Sequence, residues 1–381
     1  MFDFPIMPEV ATKMSWTFSG LLYFMILALY NKRAMLCYSA GYGLFSENSK
    51  NKFFIYLIFI YCLCAFYCGD WAHLQTILKT SLNGDYVAGY GIEKVYILLN
   101  EQLNGNYLLF RTIVWGGGLI CLYHSFKYAG INPCNSLFFL FGIYITSFAY
   151  SRAGCALAIF YLGFVLLFQS KENCTKLRLA IAISLIVAST FFHRSLLVLA
   201  CLTPIALVPI TNKNMPILLI GLFLFSFFAS RLYNMVFETL MASEEYAHRV
   251  EVYESIAGSN SITFNLNGLF YLWYKAIVHL PFWICIITLN KRIGIDNIPI
   301  TIQAVFRFAI ILYTFSIMML FTYGSASAFY YRYEGMLYIP ITIMMCFLKE
   351  NKYIPIKEFR LVFWICAWSC GKDFIYRIVF M

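Results

Sequence analysis

The sequence predicts an all-α protein that crosses a membrane many times. Of its 381 residues, 61% are hydrophobic, 19% are aromatic and only 12% are charged, and the mean hydropathy is +0.73. Soluble domains carry about 25% charged residues, so the bilayer is expected to be the main solvent of this chain. Apolar runs of roughly 15 to 22 residues recur along the sequence, and as helices they cover about 30 Å of membrane hydrocarbon.

About twelve apolar segments are the predicted transmembrane helices of a single integral membrane domain, residues 1–381. They lie at about 16–30, 53–69, 107–123, 136–150, 153–169, 179–192, 195–210, 216–230, 268–289, 303–322, 334–348 and 361–380. Lys372, Asp373 and Arg377 interrupt the last segment, so an amphipathic helix lying along the membrane surface is an alternative there.

The distribution of Lys and Arg predicts that the amino terminus lies outside. The positive-inside rule compares the basic residues of short loops on the two sides of the membrane. If the loop after the first span is cytoplasmic, 15 of the 28 basic residues lie inside and eight lie outside. This orientation places two longer loops, residues 70–106 and 231–267, on the outer side.

Composition and motifs exclude several classes of function. The formal net charge of +10 favours contact with anionic membrane lipids. No basic groove with interleaved aromatic residues lies outside the predicted spans, so nucleic acid is not an expected partner. The sequence has neither C-x-x-C nor H-E-x-x-H, and its 13 cysteines lie mostly within spans. Neither a metal site nor another cofactor is predicted.

Three positions interrupt otherwise apolar stretches with charge: Arg152, the pair His193-Arg194, and Arg332 within a tyrosine-rich segment. The predicted topology brings all three to the outer face, beside the loop that holds the carboxylates of Asp70 and Glu93. Ionisable groups near a membrane are functional candidates by default. The alternative is that each arginine extends to lipid headgroups and marks a turn. Arg111, one turn from the outer end of its span, either joins this group or reaches the headgroups.

Arginines grouped at an outer interface suit a ligand with phosphate oxygens. A guanidinium binds them through two parallel hydrogen bonds and keeps its charge, so a lipid-linked pyrophosphate is the predicted ligand. Neighbouring aromatic residues, Tyr90 and Tyr331 among them, offer flat faces and hydroxyls that can hold sugar rings. They fit equally well the aromatic belt of any multi-pass protein.

These residues carry a resemblance to a known family. The matching elements are Gly69-Asp70, Tyr90-Gly91-Ile92-Glu93 with Leu98-Leu99-Asn100, Arg152, Phe192-His193-Arg194-Ser195 and Tyr331-Arg332-Tyr333. With them the chain resembles the EpsG-like, Wzy-type family of bacterial polysaccharide polymerases, from about residue 16 to 348. One departure is that the Glu-Pro-Gly-Tyr usual in the family reads Val87-Ala88-Gly89-Tyr90 here.

The resemblance implies a glycosyl transfer at the outer face of the bacterial inner membrane. Oligosaccharide repeat units carried on undecaprenyl pyrophosphate would be joined into an O-antigen, a capsule or another exopolysaccharide. Arg152, Arg194 and Arg332 would stabilise the departing pyrophosphate. Asp70, Glu93 and His193 are the candidate acceptors of the hydroxyl proton, and His193 is favoured because an ordinary imidazole titrates near neutrality.

The implied partners are the undecaprenyl-pyrophosphate-linked oligosaccharide, membrane lipids, a chain-length regulator and a flippase. A second class of function is a transporter, such as the flippase of the same lipid-linked oligosaccharide or a solute carrier. A transporter is expected to show inverted repeats with broken helices and charges near mid-membrane, whereas the charges here lie mostly at one face. A membrane O-acyltransferase, the third class, would place its histidine deep within a span.

Overall fold

The computed structural model is all-helical over the residues that it describes. These are residues 8–39, 50–64, 74, 78, 93–149, 153–169, 175–208, 217, 220–225, 228, 279–322, 333 and 335–380. The helices are α1 (Pro8–Ser39), α2 (Lys50–Cys64), α3 (Lys94–Gln102), α4 (Tyr107–Tyr128), α5 (Pro133–Ala149), α6 (Ala153–Gln169), α7 (Lys176–Phe192), α8 (Leu196–Leu202), α9 (Leu280–Ile287), α10 (Ile300–Thr322), α11 (Tyr338–Glu350) and α12 (Ile356–Phe380). Single-turn helices follow α8 at Thr203–Leu207 and α9 at Thr288–Ile293.

Most predicted spans coincide with a helix, and two differences have clear causes. The predicted span 195–210 is α-helical only to Leu202 and tightens into a 3₁₀ turn from Thr203, because Pro204 has no N–H to donate. Helix α9 begins at Leu280, with Pro281 in its first turn, as suits a proline at a helix start. Residues 268–278 of that predicted span lie outside the described residues.

Within the loop 70–106, which the sequence predicts to lie outside, residues 94–102 form the helix α3. Its apolar run is short, and charged residues lie at both ends of it. Tyr96, Ile97 and Asn100 are buried, and they recur at the spacing of one helical face. Asn100 Nδ2 also donates to the carbonyl of Leu78, 3.3 Å away, in the same predicted loop.

One described segment meets the length and hydropathy expected of a membrane-crossing helix. Ile300–Ile317 in α10 has a mean hydropathy of 1.7 over 18 residues. Shorter apolar helical stretches lie at Ile55–Cys64, Pro133–Ile143, Ala153–Gln169 and Leu196–Leu207.

The chain divides into two compact units. The first comprises Met1–Gly84, Glu93–Leu196 and Met345–Met381. Within it, α6 packs closely between α4 and α7. A Cβ atom at Gly163 of α6 would lie only 2.7 Å from the carbonyl oxygen of Ala182 in α7, so a glycine permits this approach. The Tyr23 hydroxyl of α1 lies 2.7 Å from the carbonyl oxygen of Gly142 in α5, which ties these helices together.

The second unit comprises Asp85–Ile92 and Leu197–Met344. Its described core is built on α9 and α10, where the Tyr313 ring packs against Phe282 at 4.8 Å and Trp283 at 5.4 Å between centroids. The 3₁₀ turn Thr203–Leu207 also packs on α10.

Helix α7 has apolar side chains on its exposed face. Its buried face is the narrow row Ala182, Ile186 and Ser189. The exposed side chains include Leu177, Ile181, Ile183, Val187 and Phe191. A surface helix of a soluble protein shows the reverse arrangement, with polar residues outside, so the exposed face of α7 is suited to an apolar surrounding.

Candidate functional site

The apolar stretch Leu179–Ile210 is interrupted at His193-Arg194, the position that the sequence indicates. Helix α7 ends at Phe192, and His193 adopts an extended backbone with φ −158° and ψ 112°. Its N–H still donates to the Ser189 carbonyl at 3.1 Å, while its own carbonyl accepts from Leu196 N–H at 3.0 Å. These two bonds fix a tight turn, His193–Ser195, between α7 and α8.

Ser195 holds the imidazole of His193 within this turn. Its Oγ lies 2.6 Å from His193 Nδ1, and its backbone N–H donates to the same nitrogen at 3.4 Å. The His193 ring is half-buried and the Arg194 side chain is exposed. The turn therefore presents a guanidinium to its surroundings next to a histidine whose orientation is set locally.

Helix α3 brings a carboxylate to the same end of the first unit. Glu93 directly precedes α3 and is buried. One turn later, the Tyr96 ring meets Phe192 at the end of α7 edge-on, with centroids 5.8 Å apart. Tyr96 also meets Phe110 in the first turn of α4, at 6.0 Å. The aromatic contacts of Tyr96 thus join the segment of Glu93 to the His193–Ser195 turn.

Arg111 is buried beside this junction rather than extended to the headgroups. Its guanidinium donates to the carbonyl of Leu63 at 3.0 Å and to that of Cys62. Both carbonyls belong to the last turn of α2, which has no intrahelical donor for them. A cation there also favours the negative end of the helix dipole. Arg111 therefore stabilises the end of α2, a role that its position in the sequence left open.

Five predicted site residues lie outside the described residues: Asp70, Tyr90, Arg152, Tyr331 and Arg332. Arg152 immediately precedes Ala153, the first residue of α6. Their assignment as site residues stays a prediction. Over the part of the chain that the structure describes, no three His, Cys, Asp or Glu side chains are grouped to hold a metal ion.

The sequence interpretation missed the contact between Tyr96 and Phe192 and the bond between Ser195 and His193. The first has no local signal, because the spacing of Tyr96 and Asn100 indicates only that they share a helical face. The second has a weak signal, since a serine two residues from a turn residue often bonds locally.

A second polar cluster lies at the other end of α4. Both carboxylate oxygens of Glu350, at the end of α11, lie 3.1 Å from the N–H of Asn132, in the turn between α4 and α5. Burial raises the pKa of the Glu350 carboxyl. Burial also lowers the pKa of the neighbouring Lys349 to about 8, and its ammonium lies 5.8 Å from the Phe359 ring centroid.

Comparisons with protein-family models, with curated protein sequences and with solved structures find no match.

Proposed function

We propose that the protein is a Wzy-type membrane glycosyltransferase that polymerises undecaprenyl-pyrophosphate-linked oligosaccharide repeat units at the outer face of the bacterial inner membrane. One observation carries the proposal. Glu93, from the first long loop, and the His193–Ser195 turn are joined at one end of the first unit through Tyr96. The segments that carry Glu93, His193 and Arg194 are thereby brought together from distant parts of the sequence.

A multi-pass arrangement of about twelve transmembrane helices is part of the proposal. The outward apolar side chains of α7 support it, as does Trp368 of α12, whose side chain is 71% exposed. Exposing such residues to water is unfavourable by roughly 25 cal/mol for each Å², whereas membrane hydrocarbon imposes no such cost. The positive-inside distribution supports an outer position for the end of α7.

The proposed reaction replaces one bond at an anomeric carbon with another. The hydroxyl oxygen of the incoming repeat unit attacks the anomeric carbon of the reducing-end sugar of the growing chain. The bond from that carbon to the pyrophosphate oxygen breaks, and its electron pair remains on the departing pyrophosphate. The hydroxyl proton passes to a side chain of the site, for which Asp70, Glu93 and His193 are the candidates.

Arg194 suits the leaving group in this reaction. Its exposed guanidinium sits on the turn beside His193, and it stays charged at every physiological pH. A fixed cation placed where negative charge develops lowers the barrier. We assign the same role to Arg152 and Arg332, and the binding of sugar rings to Tyr90 and Tyr331.

Deletion of the gene in its native host tests this function. The surface polysaccharide is resolved by size on a gel, and complementation with the intact gene is the control. A polymerase mutant is expected to lose the ladder of long chains while single repeat units still reach the surface. Absence of even single units, with lipid-linked units held on the cytoplasmic side, would instead identify a flippase or an earlier enzyme.

A further inference from the structure

The exposed face of α7 is apolar along most of the helix. Leu177, near its start, is 71% exposed, and Phe191, near its end, is 66% exposed. Ile181 and Val187 are exposed between them. At about 1.5 Å of rise per residue, Leu177 and Phe191 lie about 21 Å apart along the helix axis. The face is therefore long enough to run along roughly two thirds of the hydrocarbon core of a bilayer, which is about 30 Å thick.

The packing of the first unit leaves this face open. The other side of α7 holds the buried row Ala182, Ile186 and Ser189. Gly163 of α6 approaches that side, at the Ala182 carbonyl and at Ile186. Because α6 takes the side opposite to the exposed one, the exposed side of α7 is accessible to another molecule of the membrane.

An exposed cation follows the apolar face at its carboxyl end. Helix α7 ends at Phe192, and the side chain of Arg194 is exposed in the turn that follows. Three residues of chain span at most about 11 Å, so the Cα atoms of Phe191 and Arg194 lie within that distance. A guanidinium is thus available close to the last exposed apolar side chain.

Two other helices expose apolar side chains without an exposed arginine at the end. In α1, Phe18 is exposed and the nearby exposed cation is Lys13, whose ammonium lacks the planar fork of a guanidinium. In α4, Ile120 is exposed, but Arg111 of that helix is buried and bound to backbone carbonyls of α2. An apolar face and an exposed guanidinium occur together at α7.

We infer that the exposed face of α7 docks the polyprenyl chain of the carrier lipid, with the pyrophosphate of that lipid bound by Arg194. This inference rests on the proposed function and gives the substrate a position at its site. The carrier is an apolar chain with an anionic group at one end, and the face has the complementary order. A pyrophosphate carries more negative charge than the single phosphodiester of a phospholipid, so a fixed cation favours the carrier.

The docked carrier has a defined direction. Its chain lies in the hydrocarbon along α7, and its pyrophosphate lies at the His193–Ser195 turn. The sugar joined to the pyrophosphate then lies on the side of the turn that faces away from the hydrocarbon. Docking therefore restricts the position of the anomeric carbon, and such restriction lowers the entropic part of the barrier to transfer.

Photocrosslinking identifies the molecule that covers the face. A benzophenone amino acid replaces Val187 on α7 or, as the matched control, Phe18 on α1. Each protein is placed in nanodiscs of phosphatidylethanolamine and phosphatidylglycerol with undecaprenyl pyrophosphate, and adducts are identified by mass. We expect at least about tenfold more undecaprenyl adduct at position 187 than at position 18, because one hydrogen bond to a charged group favours binding by that factor. Phospholipid adducts alone at position 187, or a crosslink to a second copy of the chain, would overturn the inference.

Variants test the cation and the apolar face separately. Arg194→Ala should raise the Kd of undecaprenyl pyrophosphate in nanodiscs by about 10–100-fold, and Arg194→Lys should raise it less. Val187→Trp adds bulk to the exposed face and should raise KM for the lipid-linked repeat unit several-fold with kcat unchanged. Ile120→Trp, at an exposed position of α4, is the control and should change neither. A KM that does not rise in Val187→Trp would contradict docking on α7.

Polymerisation by the wild-type protein distinguishes failure of this inference from failure of the proposed function. If polymer forms while position 187 takes only phospholipid, the docking on α7 fails and the proposed function stands. If the undecaprenyl adduct forms at position 187 but the lipid-linked repeat unit is not joined into polymer, the proposed function fails. The α7 face then belongs to a protein that binds the same carrier for another purpose, such as its transport.

Discussion

The two ends of α4 carry polar groups that are used in different ways. At the Tyr128 end, both oxygens of Glu350 bind the backbone N–H of Asn132. At the Tyr107 end, the Tyr96 ring joins the segment of Glu93 to the end of α7, where His193 is half-buried and Arg194 is exposed. The Glu350 carboxylate closes a helix junction, whereas the Arg194 side chain at the other end is exposed. A charged side chain is therefore a candidate for ligand binding only where its neighbours leave it exposed.

The largest expected effect is a difference in polymerisation activity between substitutions at the two ends of α4. Arg194→Ala should lower polymerisation by about 10²–10³, because a fixed cation at the leaving group is lost. Arg194→Lys should restore only part of it, since an ammonium lacks the planar fork. Lys127→Ala, at the Tyr128 end, is the matched control. Gel analysis of polymer in membranes with equal protein content measures all three, and full activity in Arg194→Ala would contradict the comparison.

The packing between α6 and α7 supports the His193–Ser195 turn, and a substitution at Gly163 tests this packing. Gly163→Ala places a Cβ 2.7 Å from the Ala182 carbonyl oxygen and should lower the free energy of unfolding by about 1–3 kcal/mol. At Gly117, an added Cβ meets no atom within 4 Å, so Gly117→Ala should be neutral or stabilising.

A thiol-reactive dye can follow unfolding of these variants, because the Cys155 and Cys346 thiols are not in disulfides and are buried in the first unit. An unchanged free energy of unfolding in Gly163→Ala would contradict the close approach of α6 and α7.

The junction at Glu350 is expected to matter for stability rather than for catalysis. Glu350→Ala leaves the Asn132 N–H without its acceptor and should cost about 1–3 kcal/mol. Glu350→Gln keeps one acceptor oxygen and should cost less. Both variants should keep the specific activity of the folded protein. The activity is measured per mole of the protein that stays folded after heating. A loss of specific activity as large as that of Arg194→Ala would erase the distinction between the two ends.

The smallest effect concerns Lys349. Burial lowers the pKa of Lys349 from 10.5 to about 8, so the unfolded chain binds more protons than the folded protein between these pH values. The free energy of unfolding therefore rises with pH over this range. Lys349→Met should therefore be stabilising by on the order of 1 kcal/mol at pH 7. The gain should shrink between pH 8 and 10.5. Thermal midpoints at pH 7 and 9 test this, and a gain that grew with pH would contradict the assignment.

The length of an apolar run predicted a helix well where polar residues lie at both of its ends. Helix α6 has the predicted bounds 153–169, because Arg152 precedes the run and Gln169 and Lys171 end it. The bounds of α3 could not be predicted, since its short apolar face lies among charges. The early end of α8 was missed as well, although Pro204 was visible in the sequence.

The site was only partly predictable. Charges that interrupt an apolar stretch located the turn at His193-Arg194. The docking of Tyr96 on Phe192 joins residues almost a hundred positions apart, and no local pattern encodes such a contact. The burial of Arg111 against α2 likewise depends on tertiary hydrogen bonds. The count of about twelve spans, the family and the enzymatic activity remain predictions.

The most direct test of the central claim is polymerisation by the purified protein alone. Wild-type protein and Arg194→Ala in lipid nanodiscs are incubated with the purified undecaprenyl-pyrophosphate-linked repeat unit, and products are separated by size while released undecaprenyl pyrophosphate is measured. The account predicts a ladder of longer chains with one carrier released for each bond formed, and no ladder from Arg194→Ala. Wild-type protein that leaves the repeat unit unjoined would contradict it.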